Sequence, residues 1–151
     1  AAWAKEHGAA YTIDHFEPFV PQLQALGFAN ADYIFCLNDT KRHWEQMAEA
    51  IAPQGRICSI VETDSPLNVT LLKNKSATFA WEFMFTRSSY GTPDMIEQHR
   101  LLDEAARRID AGELRTTLSK RLSPINAATL KEAHALIESG RAIGKIVVEG
   151  F

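Results

Sequence analysis

With 151 residues, 46% of them hydrophobic and 23% charged, the chain has the composition of globular material able to bury one sizeable core. A net charge of -3 gives no electrostatic reason to expect nucleic acid or an acidic membrane surface as partner. No apolar run approaches the roughly 20 residues of a membrane span, and no basic stretch precedes a secretory apolar segment, so a cytoplasmic location is the expectation.

Ala1 to His7 reads as the end of a helix, with Gly8 placed for a left-handed cap. The chain opens there without a methionine and reads as a piece of a longer protein. Tyr11 to Asp14 reads as a short strand. Phe16 to Leu26 holds two prolines and the apolar set Val20, Leu23 and Leu26, which predicts a loop and a short helix stopped by Gly27.

Ala31 to Glu62 organises the rest. Tyr33 to Leu37 is apolar without alternation, the pattern of a parallel strand covered on both faces. Thr40 is the expected cap of a helix on which Trp44, Met47, Ala48 and Ile51 share one face, and Pro53 with Gly55 ends it. Arg56 to Val61 is then a second buried strand, so the unit predicts a right-handed strand-helix-strand crossover in an open α/β sheet. Ligands bind such sheets beyond the carboxyl ends of the strands, here Leu37-Asn38-Asp39 and Val61-Glu62-Thr63.

Beyond a polar connection, Ser76 to Phe85 reads as a strand in which Phe79, Trp81, Phe83 and Phe85 alternate with Ala80, Glu82 and Met84, the two-faced pattern of a sheet edge. Thr92-Pro93-Asp94 predicts a helix start, Met95, Ile96, Leu102, Ala105, Ala106 and Ile109 its apolar side, and Gly112 its end. Leu114 to Leu122 alternates loosely as a strand. Asn126 caps a helix whose Leu130, Ala133, His134 and Ile137 share a face, and Gly144 to Val148 closes the chain as a short strand. Cys36 and Cys58 lack a CxxC neighbour and read as small core hydrophobes. The cysteines and the five histidines are spread over different elements, so nothing in the segment supports zinc, which needs clustered ligands. His134 reads as a satisfied, half-buried histidine; Lys73 with Lys75, and Arg107 with Arg108, read as solvated faces.

The phrases WAKEHGAAYTIDH, DYIFCLNDT, IAPQGRICSI, LLKNKSATFAWEFMFTR, IDAGELRTTL and HALIESGRAIGKIVVEG follow one another over nearly the whole chain. In that order the sequence resembles the medium-chain dehydrogenase/reductase superfamily, in its zinc-type alcohol dehydrogenase-like and quinone oxidoreductase-like branch. The resemblance implies an α/β fold. Residues 1–112 would be a partial Rossmann cofactor-binding domain, a doubly wound parallel sheet lacking its first two strands. Residues 113–151 would be a C-terminal segment returning to a GroES-like catalytic domain. In the family's strand order of 3-2-1-4-5-6, Tyr11 to Asp14 is strand 3, Tyr33 to Leu37 strand 4, Arg56 to Val61 strand 5 and Phe79 to Phe85 strand 6. Strand 3 then stands without the strands that join it to strand 4, so the segment is expected to be part of a longer chain or held by a partner.

The activity implied is that of an NAD(P)H-dependent oxidoreductase moving hydride to or from a quinone, enone or alcohol/carbonyl substrate, with NADP(H) favoured over NAD(H) on the resemblance alone. Carried over by position, His15 lies near the adenine, and Leu37 and Asn38 lie against a ribose. Val61, Glu62, Phe83 and Phe85 line the nicotinamide side, and Lys145 reaches a phosphate or ribose. No catalytic residue is identified. Partners implied are a small-molecule substrate and a second copy of the chain, paired through the Ser76 to Phe85 edge. No G-x-G-x-x-G turn for the cofactor pyrophosphate occurs in the sequence. That absence favours the alternative, a dimerising α/β scaffold module without nucleotide binding or catalysis.

Overall fold

The computed structural model describes residues 1–151, which divide into two compact units, Ala1–Met95 and Ile96–Phe151. The division falls ahead of the long helix, whereas the sequence reading put the domain boundary after residue 112.

In the first unit, helices α1 (Ala2–Glu6) and α2 (Phe19–Ala25) precede strand β1 (Ala31–Cys36), helix α3 (Thr40–Ala50) and strand β2 (Ile51–Ser59). A 3-10 helix (Val69–Lys75), strand β3 (Thr78–Trp81) and the short helix α4 (Thr86–Tyr90) follow. The strands form one parallel sheet in the order β1-β2-β3, as expected for strands 4, 5 and 6. Tyr11 to Asp14 joins no sheet. A strand exists only through its ladder partners, and here the Asp14 carbonyl instead accepts from Glu17 N and from Gln22 Nε2.

Helix α3 forms where the apolar spacing predicts it, but Asp39 rather than Thr40 is its cap, accepting from Arg42 N at 3.0 Å. Its buried face, Trp44, Met47 and Ala48, packs with Cys36, Ile51, Ile57 and Leu72 as the core, and Phe79 meets Trp44 edge-on at 5.1 Å. Burial of each large side chain in this cluster is worth about 1.5–3 kcal/mol. The helix runs straight into the sheet. Ile51 already pairs with Ala31, and the chain loops out before Arg56 pairs with Tyr33. Gln54 takes a left-handed φ of 63° there, and a Cβ on Gly55 would lie 2.8 Å from the Ile51 side chain. Pro53 and Gly55 therefore shape a bulge inside β2 instead of a loop before it.

Two further expectations are corrected. Strand β1 is covered on one face: Ile34 and Cys36 point to α3, while Tyr33 and Phe35 are 77% and 58% exposed, because successive side chains alternate. The edge strand is four residues long, Thr78–Trp81, not Ser76 to Phe85. Glu82 N makes the last ladder-side bond, to Ser59 O, and Thr86 N then bonds Phe83 O and turns the chain away. Cys36 and Cys58 are free thiols.

In the second unit, α5 (Glu97–Asp110) is followed by β4 (Leu118–Leu122), α6 (Ala127–Glu138) and β5 (Lys145–Val148). Strands β4 and β5 pair in parallel, a geometry that requires a crossover, which α6 supplies. Asn126 and Thr129 form the capping box that starts α6. The α5 start lies later than Thr92-Pro93-Asp94 predicts. Those residues form a turn in which Thr92 Oγ1 donates to Asp94 Oδ1 and Arg87 Nε to Asp94 Oδ2. Arg107 and Arg108 are ion-paired with Glu104, and the Arg107 bond first, then Arg108, holds that carboxyl down to about 2. His134 is exposed, not half-buried; Ala133 beside it takes the buried position.

Lys75 ends the 3-10 helix with its ammonium among the last carbonyls of α3, donating to Ala48 O, Glu49 O and Ile51 O at 3.1, 2.6 and 2.8 Å. Those acceptors have no partner within their own helix and carry the negative end of its dipole. Lys75→Met should therefore lower the unfolding free energy by about 1–3 kcal/mol in urea titrations. A change within error would mean that water serves the α3 carbonyls equally well.

Candidate functional site

The parallel strands of the first unit end together, at Cys36, Ser59 and Trp81. Two buried hydroxyls hold this edge. Thr40, fully buried in the first turn of α3, donates to Val61 O and pairs with Ser59 Oγ. Ser59 Oγ reaches Cys36 O and accepts from Val61 N, both at 3.3 Å. The ends of β1 and β2 and the start of α3 are thereby tied at one point.

Beside it lies a concavity of about 350 Å³ lined by His15, Phe19, Ile34, Leu37, Asn38, His43 and Met47, among others. It is mostly apolar, with two imidazoles and a carboxamide as its polar groups. His15 Nδ1 stands 3.3 Å from His43 Nε2, and the Phe16 ring tilts against the His15 ring at 4.1 Å. The Arg42 guanidinium lies over the Phe16 ring, 4.4 Å from its centroid. His43 is 6% exposed, and its Nδ1 has no hydrogen-bond partner. Burial first, then the His15 and Arg42 charges, hold its pKa below the ordinary 6.5, with Asp39 opposing.

Of the residues singled out in the sequence, His15, Leu37 and Asn38 line this one concavity. Val61 is tied to the same edge through Thr40. Glu62, exposed, follows Val61, while Phe83 and Phe85 pair with each other at 5.5 Å, 58% and 52% exposed, and none of the three lines the concavity. Lys145 is exposed on β5 of the second unit. Sequence reasoning passed over His43. Its signal was present, because His43 stands four residues before Met47 and three after Thr40, on the stripe that the helical period buries.

A pyrophosphate cradle is not among these residues; the concavity offers an imidazole backed by Phe16, the Leu37 side chain and the Asn38 amide, groups suited to an apolar, planar ligand. Zinc does not fit. The chain brings no three His, Cys, Asp or Glu side chains together as a ligand set.

The family model of zinc-binding dehydrogenases matches residues 7–148. A zinc-type alcohol dehydrogenase-like protein of Staphylococcus epidermidis is 34% identical over 146 residues, covering 97% of this chain and 44% of the relative. A second, from Staphylococcus aureus strain MSSA476, is 36% identical with the same coverage. Among solved structures, a candidate zinc-dependent alcohol dehydrogenase of Rhizobium etli CFN 42 superposes with a TM-score of 0.90 at 49% identity, over 99% of this chain and 44% of that one. A quinone oxidoreductase of Pseudomonas syringae pv. Tomato DC3000 shares the fold, with a TM-score of 0.71 at 18% identity over 98% of this chain and 45% of its own. The chain thus spans less than half the length of these relatives.

Two outcomes follow from the edge itself. Thr40→Val leaves the Val61 carbonyl without its donor and takes one partner from the Ser59 hydroxyl, and should cost about 1–3 kcal/mol in chemical unfolding; a neutral substitution would show the clasp to be incidental. His43 has a folded pKa below its unfolded one, so the unfolded chain binds more protons between the two values. Its contribution is present above 6.5 and lost as pH falls through the folded value. Unfolding free energies between about pH 5 and pH 8 should fall on acidification, and less steeply in His43→Leu. Equal slopes would remove His43 as the cause.

Proposed function

The chain belongs to the zinc-binding dehydrogenase family, and from that premise we propose that it is the C-terminal part of an NAD(P)H-dependent oxidoreductase. The reaction is hydride transfer to or from a quinone, enone or alcohol/carbonyl carbon, in the cytoplasm, with NADP(H) preferred to NAD(H). The observation that carries this reading is the convergence of His15, Leu37 and Asn38 on one apolar concavity at the carboxyl edge of a parallel sheet, where such sheets bind nucleotides.

When bound, the cofactor supplies the hydride chemistry. The chain's own part is binding and orientation. His15, backed by the Phe16 ring, offers a planar face to the adenine, and Leu37 with Asn38 meets a ribose, the leucine excluding water and the amide hydrogen-bonding a hydroxyl. Val61, held by the Thr40 clasp, and Glu62 border the nicotinamide side together with Phe83 and Phe85. Residues 1–112 act as the cofactor domain and 113–151 as the return to a catalytic domain.

A second reading is favoured by one observation: within Trp81 to Phe85, interrupted by Glu82 alone, Trp81, Phe83, Met84 and Phe85 have exposures of 51%, 58%, 61% and 52%. An apolar run of this kind beside the open β3 edge suits pairing with a second copy. Homodimerisation through Ser76 to Phe85 belongs to both readings; in the scaffold reading it is the whole function.

The full-length gene product should oxidise NADPH in the presence of quinones or enones, and Asn38→Ala should weaken dinucleotide binding by about 1 kcal/mol in calorimetric titrations. A full-length protein that binds neither NADPH nor NADH, yet sediments as a dimer that Phe83→Glu dissociates, would replace the oxidoreductase by the scaffold.

A further inference from the structure

His15 and His43 form a pair whose proton positions the surroundings dictate. Nδ1 of His15 and Nε2 of His43 lie 3.3 Å apart, so one carries the proton and the other accepts it. Burial favours the neutral form of His43, which carries a single ring proton. If that proton sat on Nδ1, a buried N–H would have no acceptor, because Nδ1 has no partner. Orphaned buried N–H groups are rarer than bare acceptors. The proton therefore sits on His43 Nε2 and is donated to His15 Nδ1. His15, its Nδ1 already accepting, must carry its own proton at Nε2, since the nitrogen protonated in one position is set by the bond the other makes.

We infer that His43 is a positioning residue that locks His15 in the Nε2–H tautomer, so that the concavity presents a fixed N–H donor and selects a ligand with an acceptor atom there. This rests on the oxidoreductase reading for the ligand, where ring nitrogens and ribose oxygens of the adenosine portion are the acceptors, but not for the tautomer. The groups facing the pair are the Arg42 guanidinium and Asp39 carboxylate at the start of α3 and the Cys36 thiol of β1; α2 contributes only the uncharged Phe19 ring, 5.6 Å from His43. Arg42 and the neighbouring imidazole disfavour a second proton on His43, with Asp39 opposing.

The test is long-range proton-nitrogen correlation spectroscopy of the full-length gene product labelled with nitrogen-15 histidine, joined to NADPH titrations. In the wild type, His15 should show a protonated Nε2 and a bare Nδ1. His43→Leu should return it to a tautomer mixture and weaken NADPH binding about fivefold, the value of one lost hydrogen bond. His43→Gln, whose amide can donate from a similar position, should restore both to near the wild-type values. A wild-type His15 protonated at Nδ1, or a tautomer unchanged in His43→Leu, overturns the inference. A wild-type protein that binds no dinucleotide overturns the oxidoreductase reading instead, and the nitrogen spectra still decide the role of His43.

Discussion

Trp44, Met47 and Ala48 lie along one face of α3 and bury it against Ile57, Cys36 and Ile51, and the placement of the residues that line the concavity depends on that contact. The dimensions explain why it is so direct. A six-residue strand such as β1 is about 20 Å long, and the eleven residues of α3 rise about 16 Å. The helix therefore returns the chain almost to the start of β1, and Ile51 pairs with Ala31 with no connecting loop. The remaining length is taken up by the bulge around Pro53-Gln54-Gly55, away from the carboxyl edge. Slack at one end of the crossover leaves the other end tight.

That tight end contains two kinds of buried polar group. Thr40 and Ser59 have partners for their hydroxyls in Val61 and Cys36, and the set closes on itself. A closed set of this kind rigidifies a fold. His43, one helical turn on, is satisfied at one nitrogen only and touches the concavity. An incompletely satisfied buried group beside a cavity is where a ligand or a neighbouring side chain has leverage, and His15 is the neighbour available to it.

The exposed aromatic side chains divide by origin. Tyr33 and Phe35 stand on the sheet face opposite α3, a face that parallel sheets ordinarily cover. Phe83 and Phe85 stand where the chain has already left the sheet and turned into α4. The first pair reports a sheet with one layer on it, the second a turn at its edge.

The α3 face, the parallel crossover and the Asn126 cap were all legible in the sequence, because each rests on local periodicity or on a side chain bonding its own neighbours. Family and fold were legible in the same way, through phrases of residues in order. What only the tertiary structure decided depends on contacts between distant residues. The run from Ser76 to Phe85 alternates throughout, yet it is strand only where β2 offers a partner, and the ladder ends at Ser59. Thr40 could serve as cap or as buried clasp, and Ser59, nineteen residues on, settled it. His15 and His43 are twenty-eight residues apart; their shared proton follows from the fold that brings them together, which no spacing along the chain expresses.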